Sequence, residues 1–219
     1  MDRRSFMASG LGAAALAGGL SMPVPALADG GAVRAFRIVR DGKDIGRHAL
    51  TARRDGQRFE IEIEIDIVAR LLGIPVYRYE MVNREVWEAG RILSVDSQTN
   101  DDGTPNSLTI RREGDALAVD GPGYSGTAPA DAVTTTYYAP GFLERRPWLS
   151  SQTGAALDFN ATPISEAPLT VQLRGEIESV LAYDADGEWL DNRFQGRGEL
   201  VSYEVIEAGA VGALWRASL

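Results

Sequence analysis

The stretch that decides the fold is Phe59-Glu60-Ile61-Glu62-Ile63-Glu64-Ile65-Asp66-Ile67. Apolar residues occupy every odd position of this stretch, and acidic residues occupy every even position. A β-strand sends successive side chains to opposite faces, whereas a helix would scatter both classes around its circumference. The stretch therefore predicts a β-strand with one apolar face and one acidic face.

A second strand is predicted over Val76–Glu88, after a short interruption that ends in a proline. If the two strands pair antiparallel, one register places Arg78 opposite Asp66 and Arg84 opposite Glu60. Unlike charges that face each other across two strands stabilise the pairing. The same register places three further side chains on the isoleucine face: Tyr77, Tyr79 and Met81.

The rest of the chain continues this alternation in short segments, which are separated by turn signals such as Asp41-Gly42 and Asp186-Gly187. The further predicted strands are 34–40, 45–53, 91–99, 107–113, 116–120, 169–174, 177–184, 189–195 and 200–207. With the two strands above, this makes about eleven short strands and no long helix. We therefore expect an all-β, antiparallel meander that forms a strongly curved sheet, half-barrel or barrel of about 10–12 strands.

Three segments break the pattern. Residues 121–130 are rich in Gly, Pro, Ser and Thr and are expected to form a loop. Residues 139–166 are the irregular segment, with a short helix expected near 141–145, and the Ala- and Gly-rich C-terminal tail 208–219 has no predicted element. The apolar face must be covered by the sheet itself, by the irregular segment or by a ligand.

The N-terminus is predicted to be a twin-arginine export signal over residues 1–28. Arg3-Arg4-Ser5-Phe6 precedes an uncharged apolar run to Leu20, and Ala26-Leu27-Ala28 is typical of a cleavage site. A retained anchor is the disfavoured alternative, because a spanning helix needs about 20 uninterrupted apolar residues. We expect a periplasmic β-rich domain at 29–207 that has no stable membrane anchor after cleavage. Its partner during export is expected to be the twin-arginine translocase.

The composition excludes several classes of site. The 219 residues include 22 basic and 31 acidic side chains, for a formal net charge of −9, which argues against nucleic acid and anionic lipid as partners. No cysteine is present, which excludes thiolate metal sites, iron–sulfur clusters and cysteine nucleophiles. The single histidine excludes any site that needs two. We expect neither a metal nor a cofactor.

His48, the single histidine, is the candidate for a catalytic residue, as a general base on the second strand. No G-x-S-x-G or comparable nucleophile motif accompanies it, so an ordinary strand residue is the favoured alternative. The carboxylates between Glu60 and Asp66 suit calcium binding or acid–base catalysis. The favoured alternative for them is a solvated strand face paired with arginines.

Two groups of residues are candidates for ligand binding. A guanidinium pair beside an indole suits a carboxylate, a phosphate or a sugar, and the irregular segment contains such a group: Arg145, Arg146 and Trp148. Aromatic side chains on strands suit the wall of an apolar cavity, and the candidates of this kind are Tyr77, Tyr79 and Trp87. Plain core packing is the alternative for the aromatic residues of both groups.

Several short motifs follow one another along the chain. They are residues 36–48 (FRIVRDGKDIGRH), 73–79 (GIPVYRY), 85–87 (EVW), 152–154 (QTG), 182–184 (AYD), 187–189 (GEW) and 201–203 (VSY). Together, over about residues 36–205, they resemble a family of exported proteobacterial proteins of unknown function. The resemblance implies an exported, antiparallel, β-rich domain and no particular activity. As a fold, the chain is also similar to the lipocalin-like, curved-sheet carriers of lipoproteins and other apolar ligands.

Three functions are compatible with these observations. The leading hypothesis is a non-enzymatic protein that binds an apolar small molecule, a lipid or another amphipathic ligand against the isoleucine and tyrosine face. The second is a hydrolase or lyase that acts on an envelope polymer through His48 or a carboxylate pair, and it requires these groups to converge in one cleft. The third is a structural or assembly partner in the envelope, which requires an exposed apolar patch.

Overall fold

The computed structural model describes residues 30–196 and 198–219, so the predicted export signal lies outside the described residues. The strands of the first half are β1 Gly31–Arg40, β2 Lys43–Asp55, β3 Arg58–Leu71, β4 Ile74–Glu88, β5 Arg91–Asp101, β6 Thr104–Glu113, β7 Ala116–Asp120 and β8 Ser125–Pro129. Those of the second half are β9 Val133–Thr134, β10 Trp148–Leu149, β11 Ala156–Leu157, β12 Phe159–Glu166, β13 Leu169–Gly175, β14 Ser179–Tyr183, β15 Trp189–Gly196 and β16 Glu199–Ala208. The helices are a 3-10 helix at Pro140–Glu144 and an α-helix, α1, at Val211–Arg216.

Thirteen of the strands form one antiparallel sheet, and the predicted all-β meander is confirmed. The order is β12-β13-β14-β15-β16-β1-β2-β3-β4-β5-β6-β7-β8, so β1 and β16, the first and last strands of the described residues, pair in the interior of the sheet. Among the described residues, β8 and β12 each pair with only one neighbour in this sheet. They are therefore its two edges, and the sheet does not close. It curves around one interior, since Phe36 on β1, Ile110 on β6 and Leu173 on β13 belong to a single buried cluster.

The segment between the two edge strands fills much of this interior. Residues 130–158 contain β9, β10, β11 and the 3-10 helix, and the three short strands form a second small sheet. Large side chains of the segment are fully buried in the core cluster of the main sheet: Tyr138, Phe142 and Trp148. We name residues 130–158 the plug. The plug covers a large part of the apolar face of the sheet. It includes residues 139–158 of the irregular segment, which was one of the three expected ways to cover this face.

One end of the curved sheet is closed by α1. Trp215 of this helix packs its ring against Phe142 at 4.6 Å, Trp87 at 5.0 Å and Phe59 at 5.4 Å, measured between ring centroids. The carboxylate of Glu188 accepts hydrogen bonds from the backbone N–H groups of Gly212 and Ala213, at 2.8 and 2.7 Å. We name this the closed end, and the opposite end, where the β1–β2, β3–β4 and β5–β6 turns lie, the open end.

The predicted register between β3 and β4 is wrong by two residues. Arg84 faces Glu62, with Nε 2.5 Å from a carboxylate oxygen, and Asp66 faces Glu80. Arg78 faces Val68 and instead pairs with Glu80 on its own strand. The two-residue turn and a bulge between Ala69 and Arg70 set the register, because surface charge pairs contribute only about 0.2–1 kcal/mol each. A register shift of two residues leaves every side chain on the same face of the sheet. Tyr77, Tyr79 and Met81 therefore oppose residues of the isoleucine face as predicted.

Three other segments differ from the prediction. The expected loop at 121–130 contains β8, and the expected irregular segment at 139–166 contains the eight-residue strand β12. Neither strand shows a regular apolar alternation, because both lie at sheet edges and form through pairing with β7 and β13. The tail at 208–219 contains α1, whose Val211 and Trp215 belong to the core of the domain.

Candidate functional site

The interior of the sheet contains two adjoining chambers at the open end. The outer chamber has a volume of about 750 Å³, and the inner chamber has a volume of about 190 Å³. The two chambers adjoin at five residues that line both of them, which we name the neck: Ile65, Tyr79, Tyr137, Gln152 and Tyr203. Ile65 and Tyr79 come from the main sheet, whereas Tyr137 and Gln152 come from the plug.

The outer chamber combines apolar walls with a charged rim. Its aliphatic and aromatic walls include Ile45, Ile67, Phe194 and Val201 in addition to the neck residues. At the rim, the Tyr77 hydroxyl donates a hydrogen bond of 2.9 Å to the Asp101 carboxylate. Further charged rim residues come from the ends of β1 and the β13–β14 connection: Arg40, Glu176 and Glu178. The chamber therefore suits an apolar molecule that reaches towards solvent at one end.

The inner chamber is uncharged, and its lining mixes polar groups with apolar side chains such as Leu50, Ile63 and Met81. The plug lines one side with hydroxyl groups, and these belong to Thr135, Thr136, Ser150 and Ser151. Burial raises the pKa of Tyr137 to about 12, so its hydroxyl stays neutral. Within the described part of the chain, none of the residues that line this chamber is charged.

His48 lines the inner chamber from β2 and is only 6% exposed. Its ring lies edge-on to Trp189 at 5.2 Å and to Tyr203 at 5.6 Å. Neither ring nitrogen has a hydrogen-bond partner among the described residues. Burial lowers the pKa of His48 to about 3, so the ring is neutral at physiological pH and offers one N–H donor and one nitrogen acceptor.

Asn83 on β4 is a second polar side chain in the inner chamber with an unmatched atom. Its Oδ1 has no partner among the described residues, while its Nδ2 donates a hydrogen bond of 2.8 Å to Glu85. Buried polar atoms in native proteins are nearly always paired, and each exception calls for an explanation such as strain, a functional role, or a bound water, ion or ligand. His48 and Asn83 therefore mark the inner chamber as the place where a bound molecule meets hydrogen-bonding groups.

Glu85 is a buried carboxylate that the sequence prediction missed as a candidate. It accepts hydrogen bonds from Asn83, from the Thr134 hydroxyl at 2.7 Å and from the Trp87 indole at 2.9 Å. Burial raises the pKa of Glu85, and these three donors act in the opposite direction. Because Thr134 belongs to the plug, this network ties the plug to β4. The available sequence signal was an acidic residue at an odd, inward position of the predicted strand.

The candidate catalytic groups do not converge. His48 faces the interior, whereas the carboxylates of Glu60 and Glu62 lie on the outer face of the sheet, where they pair with arginines. Glu64 and Asp66 are exposed on that same outer face. The cleft that the enzymatic hypothesis requires is therefore not formed by these residues.

The predicted ligand-binding residues lie in two different places. Tyr77 and Tyr79 line the outer chamber. Arg145 donates hydrogen bonds to the carbonyls of Gly90 at 2.7 Å and Asp131 at 3.0 Å, and its guanidinium lies 5.8 Å from the Trp87 ring centroid. These contacts place Arg145 and Trp87 at the closed end, away from the cavity.

The other two predicted residues of the plug are also occupied by contacts with the protein. Arg146 donates to the carbonyls of Leu143 at 3.0 Å and Phe159 at 3.3 Å and stacks over the Phe159 ring. Trp148 is fully buried, and its indole N–H donates to the Phe142 carbonyl at 3.0 Å. Ligand binding by Arg145, Arg146, Trp148 and Trp87 stays a prediction that their positions do not favour.

Two further properties concern the described residues as a whole. No group of three or more His, Cys, Asp or Glu side chains in residues 30–196 and 198–219 is arranged to hold a metal ion. Neither helix in this part of the chain has the length and the apolar character that crossing a membrane requires.

Comparison with known proteins places the chain in a family. Residues 36–206 match the family DUF6134, a domain of unknown function. The chain belongs to the DUF6134 family. No curated protein matches this DUF6134 chain. It is similar in fold to the crystal structure of a beta-barrel-like protein of domain of unknown function DUF1849 from Brucella abortus, with a TM-score of 0.55 and 8% sequence identity. That likeness covers 83% of this chain and 98% of the Brucella chain, and at this identity it concerns the fold alone.

Proposed function

We propose that this DUF6134 domain is a periplasmic, non-enzymatic binding protein for an uncharged amphipathic molecule. The ligand's polar group lies in the inner chamber at His48, and its apolar part lies in the outer chamber. The observation that carries the proposal is a neutral, buried histidine with two unpartnered nitrogens beneath an apolar cavity. The periplasmic location is carried by the twin-arginine motif at Arg3-Arg4.

The size of the cavity supports a small-molecule ligand. Ligand pockets commonly measure roughly 300–1,000 Å³, are lined mainly by apolar and aromatic side chains and contain a few polar groups. The outer chamber, at about 750 Å³, lies in this range and provides the apolar lining. The inner chamber adds the polar groups, and a ligand that occupies both chambers contacts the five neck residues between them.

The chemistry of the inner chamber selects an uncharged polar group. A carboxylate or an ammonium group would lose its hydration there without meeting an opposite charge, which is strongly unfavourable. Neutral His48 and the amide oxygen of Asn83 together offer one donor and two acceptors. A hydroxyl or an amide satisfies such a set, because each both donates and accepts a hydrogen bond.

A fluorescent probe tests this proposal directly. N-phenyl-1-naphthylamine is an uncharged amphipathic molecule whose emission rises in apolar surroundings, and we expect it to bind the wild-type protein. Ile65→Trp fills the neck of the cavity and should weaken probe binding by about tenfold or more, because it removes space that the ligand needs. Fluorescence titration measures both affinities.

Val82→Trp is the matched control. Val82 lies on the strand next to Ile65 but is partly exposed, and it lines the outer surface and neither chamber. Its substitution should leave probe affinity within about twofold. Equal losses in both variants, or no probe binding by the wild type, would overturn the proposal. Native mass spectrometry of protein from its own periplasm then identifies the natural ligand by mass.

A further inference from the structure

The turn between β3 and β4 is the most exposed apolar feature at the open end. Leu72 is 95% exposed, and its neighbours Leu71 and Ile74 are 65% and 66% exposed. Val76 adds a fourth partly exposed apolar side chain. We name residues 71–76 the apolar tip. Single exposed apolar residues are ordinary, but four on one protruding turn indicate a contact with something apolar.

The backbone of this turn makes the choice of leucine unusual. Leu72 has φ +52° and is followed by Gly73 at φ +84°, which is the geometry of a tight hairpin turn. The residue before the glycine in such a turn is usually Asn or Asp, because these side chains tolerate positive φ. Two other turns at the same end follow this rule with Asp41-Gly42 and Asp102-Gly103. Ala89-Gly90 in the β4–β5 turn also departs from this rule, so the distinguishing feature of Leu72 is a large apolar side chain that is 95% exposed.

The apolar tip continues directly from the wall of the outer chamber. Ala69 and Tyr77 face each other across β3 and β4, and both line the chamber. The tip begins two residues after Ala69 and ends one residue before Tyr77. An apolar molecule that leaves the chamber on this side passes the Tyr77–Asp101 hydrogen bond at the rim and then reaches the tip.

We propose that the apolar tip inserts into the interfacial layer of a lipid bilayer and so places the mouth of the outer chamber against the membrane. This inference rests on the proposed function, because it supplies the route by which an amphipathic ligand enters and leaves. A convex turn of six residues is too small for a stable protein interface, which buries about 800 Å² per partner. Such a turn does fit between lipid headgroups, where apolar side chains are buried to a shallow depth.

The charges around the tip fit a zwitterionic surface. Arg70 and Arg78 flank it, and the Arg70 guanidinium donates a hydrogen bond to the Gly73 carbonyl at 3.3 Å. These two cations lie at the level where lipid phosphates would be. The net charge of −9 and the neighbouring acidic turns oppose a strongly anionic membrane.

Vesicle flotation tests the inference without any cavity ligand. The protein is purified from a periplasmic extract, its mass is checked for the loss of residues 1–28, and it is mixed with vesicles of dioleoylphosphatidylcholine. We expect the wild type to float with the vesicles. Leu72→Asn should lower the vesicle-bound fraction about tenfold, because it removes the most exposed apolar side chain of the tip. Ile206→Asn is the matched control, since Ile206 is 54% exposed but lies on β16 away from the open end.

Thermal unfolding separates docking from folding. Asn tolerates positive φ better than Leu, so Leu72→Asn should raise the Tm while it weakens vesicle binding. A wild type that does not float, a Leu72→Asn variant that floats equally, or an Ile206→Asn variant that loses as much would each overturn the inference. It would also be overturned if sedimentation showed a dimer that Leu72→Asn dissociates and no vesicle binding. Probe titration in the absence of vesicles measures the cavity separately, so the two proposals fail independently.

Discussion

The buried carboxylates at the closed end and the polar side chains of the inner chamber differ in how fully they are hydrogen-bonded. At the closed end, the carboxylates of Glu85 and Glu188 each accept several hydrogen bonds, and Trp215 is surrounded by other rings. At the open end, His48 and Asn83 are buried beside empty space with atoms that no described residue satisfies.

Under the proposed function, this difference separates residues that stabilise the fold from residues that contact the ligand. An unsatisfied buried polar atom lowers the free energy of unfolding by about 1–3 kcal/mol. A protein that contains such an atom is therefore less stable than one in which the atom is paired. The inner chamber is lined by three residues with such atoms, His48, Asn83 and Tyr138, and other unmatched atoms lie outside it, including Arg54 Nε and Arg112 Nη2 at the closed end. Loss of stability and loss of binding should therefore follow from substitutions at different ends.

Trp215→Ala should have the largest effect on stability. The substitution empties the centre of the aromatic cluster at the closed end, and truncation of a buried tryptophan costs roughly 3–5 kcal/mol. Denaturant unfolding measures the loss, and probe titration of the folded fraction should give the wild-type affinity. Phe194→Ala at the half-buried wall of the outer chamber is the control, with a clearly smaller loss of stability and weaker probe binding. The reverse pattern would contradict the division between the two ends.

His48→Phe should remove an acid sensitivity of a few kcal/mol. The folded-state pKa of about 3 lies below the ordinary value of 6.5, so below pH 6.5 the unfolded chain binds a proton that the folded chain does not. Stability is therefore complete above pH 6.5 and falls towards pH 3, by at most about 1.4 kcal/mol per pH unit. At pH 5 the wild type should have lost roughly 2 kcal/mol that the variant keeps.

The comparison of the two proteins isolates this residue. Other titrating groups, including Glu85 with its raised pKa, contribute equally to both and cancel in the difference. Urea unfolding of wild type and His48→Phe at several pH values between 7 and 4 gives the curve. A difference that does not change with pH would show that His48 titrates normally and is not the neutral group that the cavity needs.

Arg145→Lys should have the smallest effect. Lysine cannot reach both the Gly90 and Asp131 carbonyls at once, so about one hydrogen bond between the plug and the closed end is lost, at roughly 1 kcal/mol. Probe affinity should not change, because Arg145 does not line either chamber. A fall in affinity at unchanged stability would restore the ligand-binding role that the sequence suggested for Arg145.

The sequence predicted those parts of the fold that depend on local alternation. In the strands β1–β7 and β13–β16, apolar and polar residues alternate along the sequence, and the predicted bounds are close to the observed ones. The edge strands β8 and β12 and the helix α1 depend on partners distant in the chain, so their own residues contain little signal. The β3–β4 register depended on a bulge between Ala69 and Arg70, which no charge pattern reveals.

The candidate site was predictable only in part. His48 was found because it is the single histidine, but its chemistry depends on burial and missing partners, which are tertiary properties. Tyr77 and Tyr79 were found from the strand face that they share with the isoleucines. Arg145 and Trp148 combine residue types that suit either binding or packing, and only their observed partners, the Gly90 and Phe142 carbonyls, favour packing.

The pairing of β1 with β16 has a consequence for the order in which the chain can be completed. Arg34 donates a hydrogen bond to the carbonyl of Gly209, 175 residues later in the sequence. During synthesis β1 can pair with β2 at once, but its other edge stays open until the last strand has left the ribosome. A prematurely ended chain therefore exposes a strand edge that invites aggregation or proteolysis. Pairing on both edges of β1 therefore requires translation to have continued at least through β16.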